Sequence, residues 1–303
     1  MPVLTEINPH ERDDHISFQE EGHIYTIDGD QSFISTTTWV HNHFKKFDPD
    51  AIITKMMRSK KWPQSKYFGQ TPDEIKAGWN ENGRIASEAG TKMHADIEDF
   101  YNGIPVVNES VEYSYFMNFE KRHRHLKPFR TEWCVWDKEL KLCGSIDMIY
   151  DNGDGTLSIY DWKRCKEIKQ SNDWGERGLP KPIQHLHDCN FYHYALQLNI
   201  YKALLQKNYG FIVTDLAIVC LHPNNDNNDY QKYMIPDLQK EVAGLFAERL
   251  AEVNGDEIEE IEVEERVMNG ISYLVDDEGN IVNEEGEVVG RWPPTEPITF
   301  STC

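Results

Sequence analysis

The chain has 303 residues, 39% of them hydrophobic, and a formal net charge of −21, material enough for one large domain or two smaller ones. No apolar run approaches the length of a membrane span, and the opening MPVLTEINPHERDD lacks the basic start and apolar core of a signal peptide. Six cysteines without a CxxC pair argue against a disulfide framework. The expectation is a soluble intracellular protein, cytoplasmic or nuclear, with no membrane partner.

The negative total argues against a nucleic-acid partner until its distribution is read. From Ala251 to Cys303 there are 15 acidic and two basic residues, which accounts for most of the excess. The remainder carries three basic stretches: Lys45 to Lys66, Lys121 to Arg130, and Lys163 to Lys169. Any one of these is ordinarily solvated surface. Three of them make an electrostatic track for phosphates plausible.

Taken in order, residues 15 to 34 alternate as a small β-hairpin, and Ser35-Thr36-Thr37-Thr38 starts a short helix around Trp39 to Phe44. Asp48-Pro49 starts another, running to about Arg58. The loop from Trp62 to Gly69 mixes Lys66 with Tyr67 and Phe68; it could stack bases or pack on the domain. Thr71-Pro72-Asp73-Glu74 is a strong helix start for a helix or helix pair reaching Tyr101, on which His94 and Glu98 share a face. Tyr113 to Leu126 reads as a further helix.

Three strands follow. Arg130 to Asp137 is rich in β-formers, Lys141 to Tyr150 comes next, and Asn152-Gly153-Asp154-Gly155 turns the chain into a strand from Thr156 to Cys165. Antiparallel pairing about a turn near Asp154 sets Asp147 opposite Asp161, with Lys163 on the same face as Asp161. A turn at Lys138-Glu139 likewise sets Glu132 opposite Asp147, although a one-residue slip would turn it away. Opposed like charges destabilise a sheet, so the patch calls for a compensating divalent cation.

Beyond a polar loop with Trp174, Asn190 can cap a helix from Phe191 to Tyr209, where Tyr194, Gln197 and Tyr201 share a face and Asn190 lies near the same line. His185, His187, Cys189 and His193 have a weak claim to a zinc site, because structural sites usually draw on two separated pairs. Thr214 to Leu221 reads as a buried strand and Pro236 to Val253 as an amphipathic helix. The Glu-rich run Ile258 to Val267 precedes three short strand-like pieces between Ile271 and Trp292, a small acidic β appendage. Its charge could mimic DNA, dock a replication or repair protein, or simply aid solubility.

Taken alone, Asp161-Trp162-Lys163 says little, since Glu74-Ile75-Lys76, Glu139-Leu140-Lys141 and Glu167-Ile168-Lys169 match the same triplet. Its company is specific: Gly144-Ser145-Ile146-Asp147 on the paired strand, His94 upstream, and Gln197 and Tyr201 downstream. That ordered set resembles the RecB-like branch of the PD-(D/E)XK nuclease superfamily, which includes the RecB and AddB nuclease domains, the CRISPR-adaptation nucleases and the mitochondrial genome maintenance exonuclease. The flanking phrasing looks most like homologues encoded by large DNA viruses.

The resemblance implies an α/β fold: a restriction-endonuclease-like core with a central mixed sheet flanked by helices, at residues 90–253. A β-hairpin and helical region at 1–89 would guide or cap DNA, and the acidic appendage would occupy 254–303. It implies that His94, Asp147, Asp161 and the carbonyl of Trp162 bind Mg²⁺ or Mn²⁺, with Glu132 as an auxiliary carboxylate. Lys163 would orient or deprotonate the attacking water. Gln197 and Tyr201, with Tyr194 and Asn190 on their line, would contact the nucleic-acid backbone or brace the site. The activity implied is hydrolysis of DNA phosphodiester bonds, by an exonuclease or single-strand or flap processor in replication, repair or recombination. An endonuclease on DNA or RNA and a catalytically silent binding scaffold are the alternatives. Some branches hold an iron–sulfur cluster; only Cys220 and Cys303 follow the motif helix here and no cysteine precedes the core, so none is expected.

Overall fold

Side-chain caps written in the sequence decide where the early helices begin. A short helix α1 (Leu4–Ile7) and a hairpin of β1 (Ile16–Gln19) and β2 (Ile24–Ile27) precede a two-residue strand β3 (Ile34–Ser35). Ser35 then caps α2 (Thr36–Asn42), and Asp48 caps α3 (Pro49–Met57) by accepting from the Ala51 N–H at 2.9 Å. The reciprocal Thr71–Glu74 box opens α4 (Pro72–Tyr101). This is one continuous helix of 30 residues, so the boundary expected at 89/90 falls inside it. Arg84 paired with Glu81 and Glu88, and Lys92 with Asp96, carry it past Gly83 and Gly90.

The structure, a computed structural model, describes residues 2–255, 263–268, 271–276, 279–282 and 288–294. They fall into two compact units, Met1–Val253 and Asn254–Cys303. Among the described residues no helix is long and apolar enough to cross a membrane.

The helix expected from Tyr113 to Leu126 is α5 (Val111–Arg122), displaced because Ser110 is the cap and its hydroxyl accepts from the Tyr113 N–H at 3.2 Å. The strands are β4 (Lys127–Asp137), β5 (Leu142–Asp151) and β6 (Thr156–Lys163); β6 ends two residues before the expected Cys165. After a long loop come α6 (Asn190–Asn208), β7 (Ile212–Cys220), β8 (Gln231–Met234) and α7 (Gln239–Asn254). Asn190 does not cap α6, because Cys189 holds that position. The Asn190 side chain instead accepts from the Lys169 N–H (2.8 Å) and donates to the Glu167 carbonyl (2.7 Å), holding down the chain that leaves β6.

These strands build one mixed six-stranded sheet in the order β3-β5-β6-β7-β8, with β4 along the other edge of β5. β5 to β6 and β7 to β8 are antiparallel, and β6 to β7 is parallel. The β5–β6 register pairs Met148 with Tyr160 and Tyr150 with Ser158, the register that the Asn152–Gly155 turn predicts. Helices cover the sheet in two clusters. Leu196, Ile200 and Leu204 of α6 pack with Trp39 of α2 and Leu245 of α7 in the larger core. Met93 and Ile97 of α4 meet Phe116 and Phe119 of α5 over Met148, Tyr160 and Trp162 in the second.

The other unit is a four-stranded antiparallel sheet in the order β12-β11-β10-β9, from β9 (Val263–Met268), β10 (Ile271–Asp276), β11 (Asn280–Val282) and β12 (Val288–Arg291). Its first strand comes out of the Glu-rich run, one strand more than the three pieces expected; Ile258 to Glu262 of that run lie outside the described residues. Tyr273, Val275 and Ile281 form its small core, with Trp292 packed against them.

A buried ion pair ties the N-terminus to the sheet. Arg130, 3% exposed, donates to Asp13 Oδ2 and to the Asn8 carbonyl at 2.8 Å each, and the Trp133 indole N–H donates to Asp13 Oδ1 at 2.8 Å. Burial opposes the charge on Asp13, but the Arg130 and Trp133 hydrogen bonds outweigh it and hold its carboxyl below the usual range. Asp137 is lowered too: burial raises it, and Asn208, the Leu140 N–H and Lys207 bring it down. A carboxyl lowered by folding stabilises the protein above its unfolded pKa, and that contribution is lost as pH falls. Asp13→Asn is expected to cost about 3 kcal/mol at neutral pH by stranding Arg130. It should also flatten the loss of stability on acidification below about pH 4; urea unfolding of both proteins across that range checks this.

Candidate active site

The site forms where the sheet stops pairing. One edge of β5 lies against β4; the other pairs with β6 at Met148–Asp151 and with β3 at Leu142 and Cys143. Between them, residues 144–147 have no strand partner on that second edge among the described residues. The β4–β5 ladder also skips the position where Glu132 stands opposite Asp147. There Glu132 adopts a left-handed φ of 43°, a conformation costly for this side chain and characteristic of functional sites. Asp147 therefore lies between Glu132 and Asp161, as the register requires, with backbone pairing interrupted on both sides.

From α4, His94 Nδ1 comes within 3.3 Å of Glu132 Oε1 and 3.6 Å of Asp147 Oδ2. One ligand atom of each of these three residues lies within 4.8 Å of the others. Ser145 Oγ donates to Glu132 Oε2 at 2.9 Å, and the Trp162 N–H donates to Asp147 Oδ2 at 2.9 Å. Lys163 Nζ sits 2.9 and 2.8 Å from the two oxygens of Asp161. Asp161 Oδ2, though close to that ammonium, accepts no hydrogen bond.

This grouping departs from the expected ligand set. Glu132 stands with His94 and Asp147, while Asp161 is claimed by the nearest cation, Lys163, two residues along its own strand. Trp162, expected to present its carbonyl, is joined to the cluster through its N–H. His185, His187, Cys189 and His193 form no metal-type grouping among the described residues; His193 pairs with Asp188 at 2.9 Å and His185 with Glu241 at 3.1 Å.

The charges are strained in one direction. Burial, and then the charge of its neighbour Glu132, push Asp147 up against the opposing pull of His94 and Lys163. Burial and Asp147 push Asp161 up to about 7, against Lys163. On the cationic side, burial opposes the charge of His94, yet Asp147 and Glu132 outweigh it and raise its pKa to about 9. Lys163 is likewise raised, Asp161 and Asp147 overcoming its burial. Three carboxylates thus outnumber the available cations. Imidazole nitrogen and carboxylate oxygen donors at this spacing suit a divalent cation, and the Asp161 carboxylate, paired with Lys163, adjoins them.

α6 closes the floor. Tyr194 lays its ring 4.9 Å from Lys163 Nζ. Gln197 donates to the Tyr201 hydroxyl at 3.4 Å and to Thr37 Oγ1 at 3.3 Å. Gln197 and Tyr201 are both buried, and the Tyr201 ring lies against Gly144 in the open stretch of β5. Sequence reasoning missed Ser145 and Thr37. Ser145, two residues before Asp147, was within reach of strand reasoning; Thr37 lies 160 residues from Gln197 and had no local signal.

A family model described as the PD-(D/E)XK nuclease superfamily matches residues 106–269. The chain belongs to this superfamily. The matched span contains Glu132, Asp147, Asp161 and Lys163, while His94 precedes it. A solved structure from Eubacterium rectale, of a protein provisionally assigned as an exonuclease, is similar with a TM-score of 0.26 and 13% identity, covering 53% of this chain and 75% of that one. At that score the likeness decides nothing about this chain. No curated protein matches.

In this PD-(D/E)XK protein Gly144 is a packing requirement. A Cβ there would lie 2.7 Å from the Tyr201 hydroxyl oxygen and 2.9 Å from Cε1. Gly144→Ala is expected to destabilise the protein by about 1–3 kcal/mol through overpacking. Adding Tyr201→Phe should restore part of that, because the nearest atom is then gone. Thermal unfolding of the two single variants and the double variant measures the coupling.

Proposed function

We propose that this protein is a divalent-cation-dependent nuclease hydrolysing DNA phosphodiester bonds, an exonuclease or single-strand processor of the RecB-like branch. The observation that carries the reading is the Asp161–Lys163 pair standing beside the His94–Glu132–Asp147 cluster on the unpaired edge of β5. The preference for exonuclease action rests on the ordered set of His94, Asp147, Asp161, Lys163, Gln197 and Tyr201 and its resemblance to that branch.

His94, Glu132 and Asp147 would hold the cation, Mg²⁺ or Mn²⁺, with Asp161 as the adjoining acceptor. When bound, such an ion supplies Lewis acidity, lowering the pKa of a water and offsetting charge that develops on phosphoryl oxygens. Ser145 and the Trp162 N–H fix the carboxylates of Glu132 and Asp147, so the cluster is oriented before any ligand arrives. Lys163 keeps its proton, because Asp161 and Asp147 stabilise the ammonium. It therefore donates hydrogen bonds to a phosphate oxygen or to the water, stabilising charge rather than removing a proton. Tyr194 and Asp161 together limit the directions in which that ammonium can point.

With end-labelled DNA, cleavage is expected in Mg²⁺ or Mn²⁺ and not in EDTA, and Lys163→Ala should reduce it by about 10²–10³, the scale of one lost charge-stabilising donor. Cleavage in EDTA, or a Lys163→Ala protein as fast as the parent, would refute the mechanism. Mn²⁺ at about a hundredfold excess over its Kd should stabilise the fold by about 2.7 kcal/mol. Asp147→Asn should abolish most of that gain in a thermal melt.

A further inference from the structure

A groove of about 940 Å³ runs between α3 with its preceding loop on one side and the 172–188 segment on the other. Its two walls differ in chemistry. Lys45, Lys46 and Lys55 stand on the α3 side, while Trp174, Asn172, Glu176 and Asp188 stand opposite. Trp174 is 75% exposed on one wall and Phe47 68% exposed on the other, two large apolar surfaces open to water in one groove. The Lys55 ammonium lies 4.2 Å from the centre of the Trp174 ring.

The cations extend beyond the groove. Between Lys45 and Lys66 there are seven basic residues and two acidic ones. Both acidic residues are already engaged: Asp48 caps α3, and Asp50 accepts from Lys76 of α4 at 3.0 Å. A shallower depression sharing Lys55 and Ser59 continues past Arg58, and another sharing Met56 and Ser59 reaches Lys61 and Trp62. His193 also lines the groove, and the next residue of α6 is Tyr194, whose ring lies 4.9 Å from Lys163 Nζ.

We infer that this groove binds a single strand of nucleic acid and leads it to the active site, with Trp174 as a base-stacking platform and Lys46 and Lys55 on the phosphates. The inference rests on the nuclease reading above and narrows it, naming the groove and the residues by which a single strand would be held. A single strand has a charged side and an aromatic side, and the groove has one wall for each: phosphates meet the lysines, bases meet Trp174. Asn172, and Glu176 once it exchanges Lys45, offer acceptors to base amino groups on the Trp174 wall. A duplex presents phosphates on both flanks and would set one backbone against Glu176 and Asp188. An acidic peptide meets the same repulsion and has no planar groups to stack. The Lys45–Glu176 pair that bridges the walls at 2.9 Å is exposed on both sides, so it exchanges at little cost for a phosphate contact.

The test is fluorescence anisotropy of the full chain in EDTA, so that binding is read apart from cleavage, with labelled oligothymidylate, oligouridylate and a mixed-sequence duplex. Expected is tighter binding of one or both single strands than of duplex. Trp174→Ala should weaken single-strand binding by about fivefold or more, the loss of one stacked base, and Trp174→Tyr should retain most of it. Lys46→Ala and Lys55→Ala should each reduce the salt slope by about 0.7. Unchanged affinity in Trp174→Ala, preference for the duplex, or no binding of either single strand would overturn the inference. Turnover of bis(p-nitrophenyl) phosphate, a diester too small to span the groove, tests the chemistry separately. Equal turnover by the parent and Trp174→Ala, alongside the binding defect, supports the groove assignment. Retained binding with no turnover in any divalent cation would refute the nuclease reading and leave the groove standing.

Discussion

Three carboxylates brought together from three neighbouring strands cannot all remain ionised in a partly buried site without positive charge beside them. Around Asp147 the protein provides two cations of its own, His94 and Lys163, and both are driven further toward their charged forms by the acids they face. Asp147 and Asp161 are driven the other way, toward neutrality. The carboxylates still outnumber these cations, and a divalent cation held by His94 would take the place of the proton on its ring nitrogen.

Such an arrangement persists only because the surroundings over-determine it. α4 and α5 pack one face of the sheet with Met93, Ile97, Phe116 and Phe119, which fixes the helix that carries His94. α6 packs the other with Leu196, Ile200 and Leu204, which fixes Tyr194, Gln197 and Tyr201. The unpaired stretch of β5 lies between these supports, and Gly144 lets the Tyr201 ring approach the strand where a Cβ would otherwise stand. The left-handed turn at Glu132 gives up one position of the ladder; in return its carboxylate is set by Ser145 on one oxygen and His94 near the other.

Net charge is a poor guide to the partner of this molecule. The excess of acid is concentrated after Ala251, whereas cations gather on α3 and its flanks, in a groove that His193 joins to the active-site helix. On the single-strand assignment proposed above, asymmetry between the groove walls, rather than the total charge, would discriminate between single-stranded and duplex ligands.

Local chemistry was enough to read much of this from the amino-acid sequence. The Asn152–Gly155 turn set the β5–β6 register, and with it the meeting of Asp147 and Asp161; the Thr71–Glu74 box and Asp48-Pro49 set two helix starts. Those signals act over a few residues, so they are visible in a linear chain. Asn190 misled for the same reason: a good capping residue at a helix start was diverted by the Glu167–Lys169 backbone, which only the returning loop brings near. The arrival of His94 beside Glu132 and Asp147, the contact of Thr37 with Gln197, and the pairing of β3 beyond the open edge of β5 were decided by tertiary structure. Each depends on distances between segments tens to more than a hundred residues apart, which no local propensity encodes.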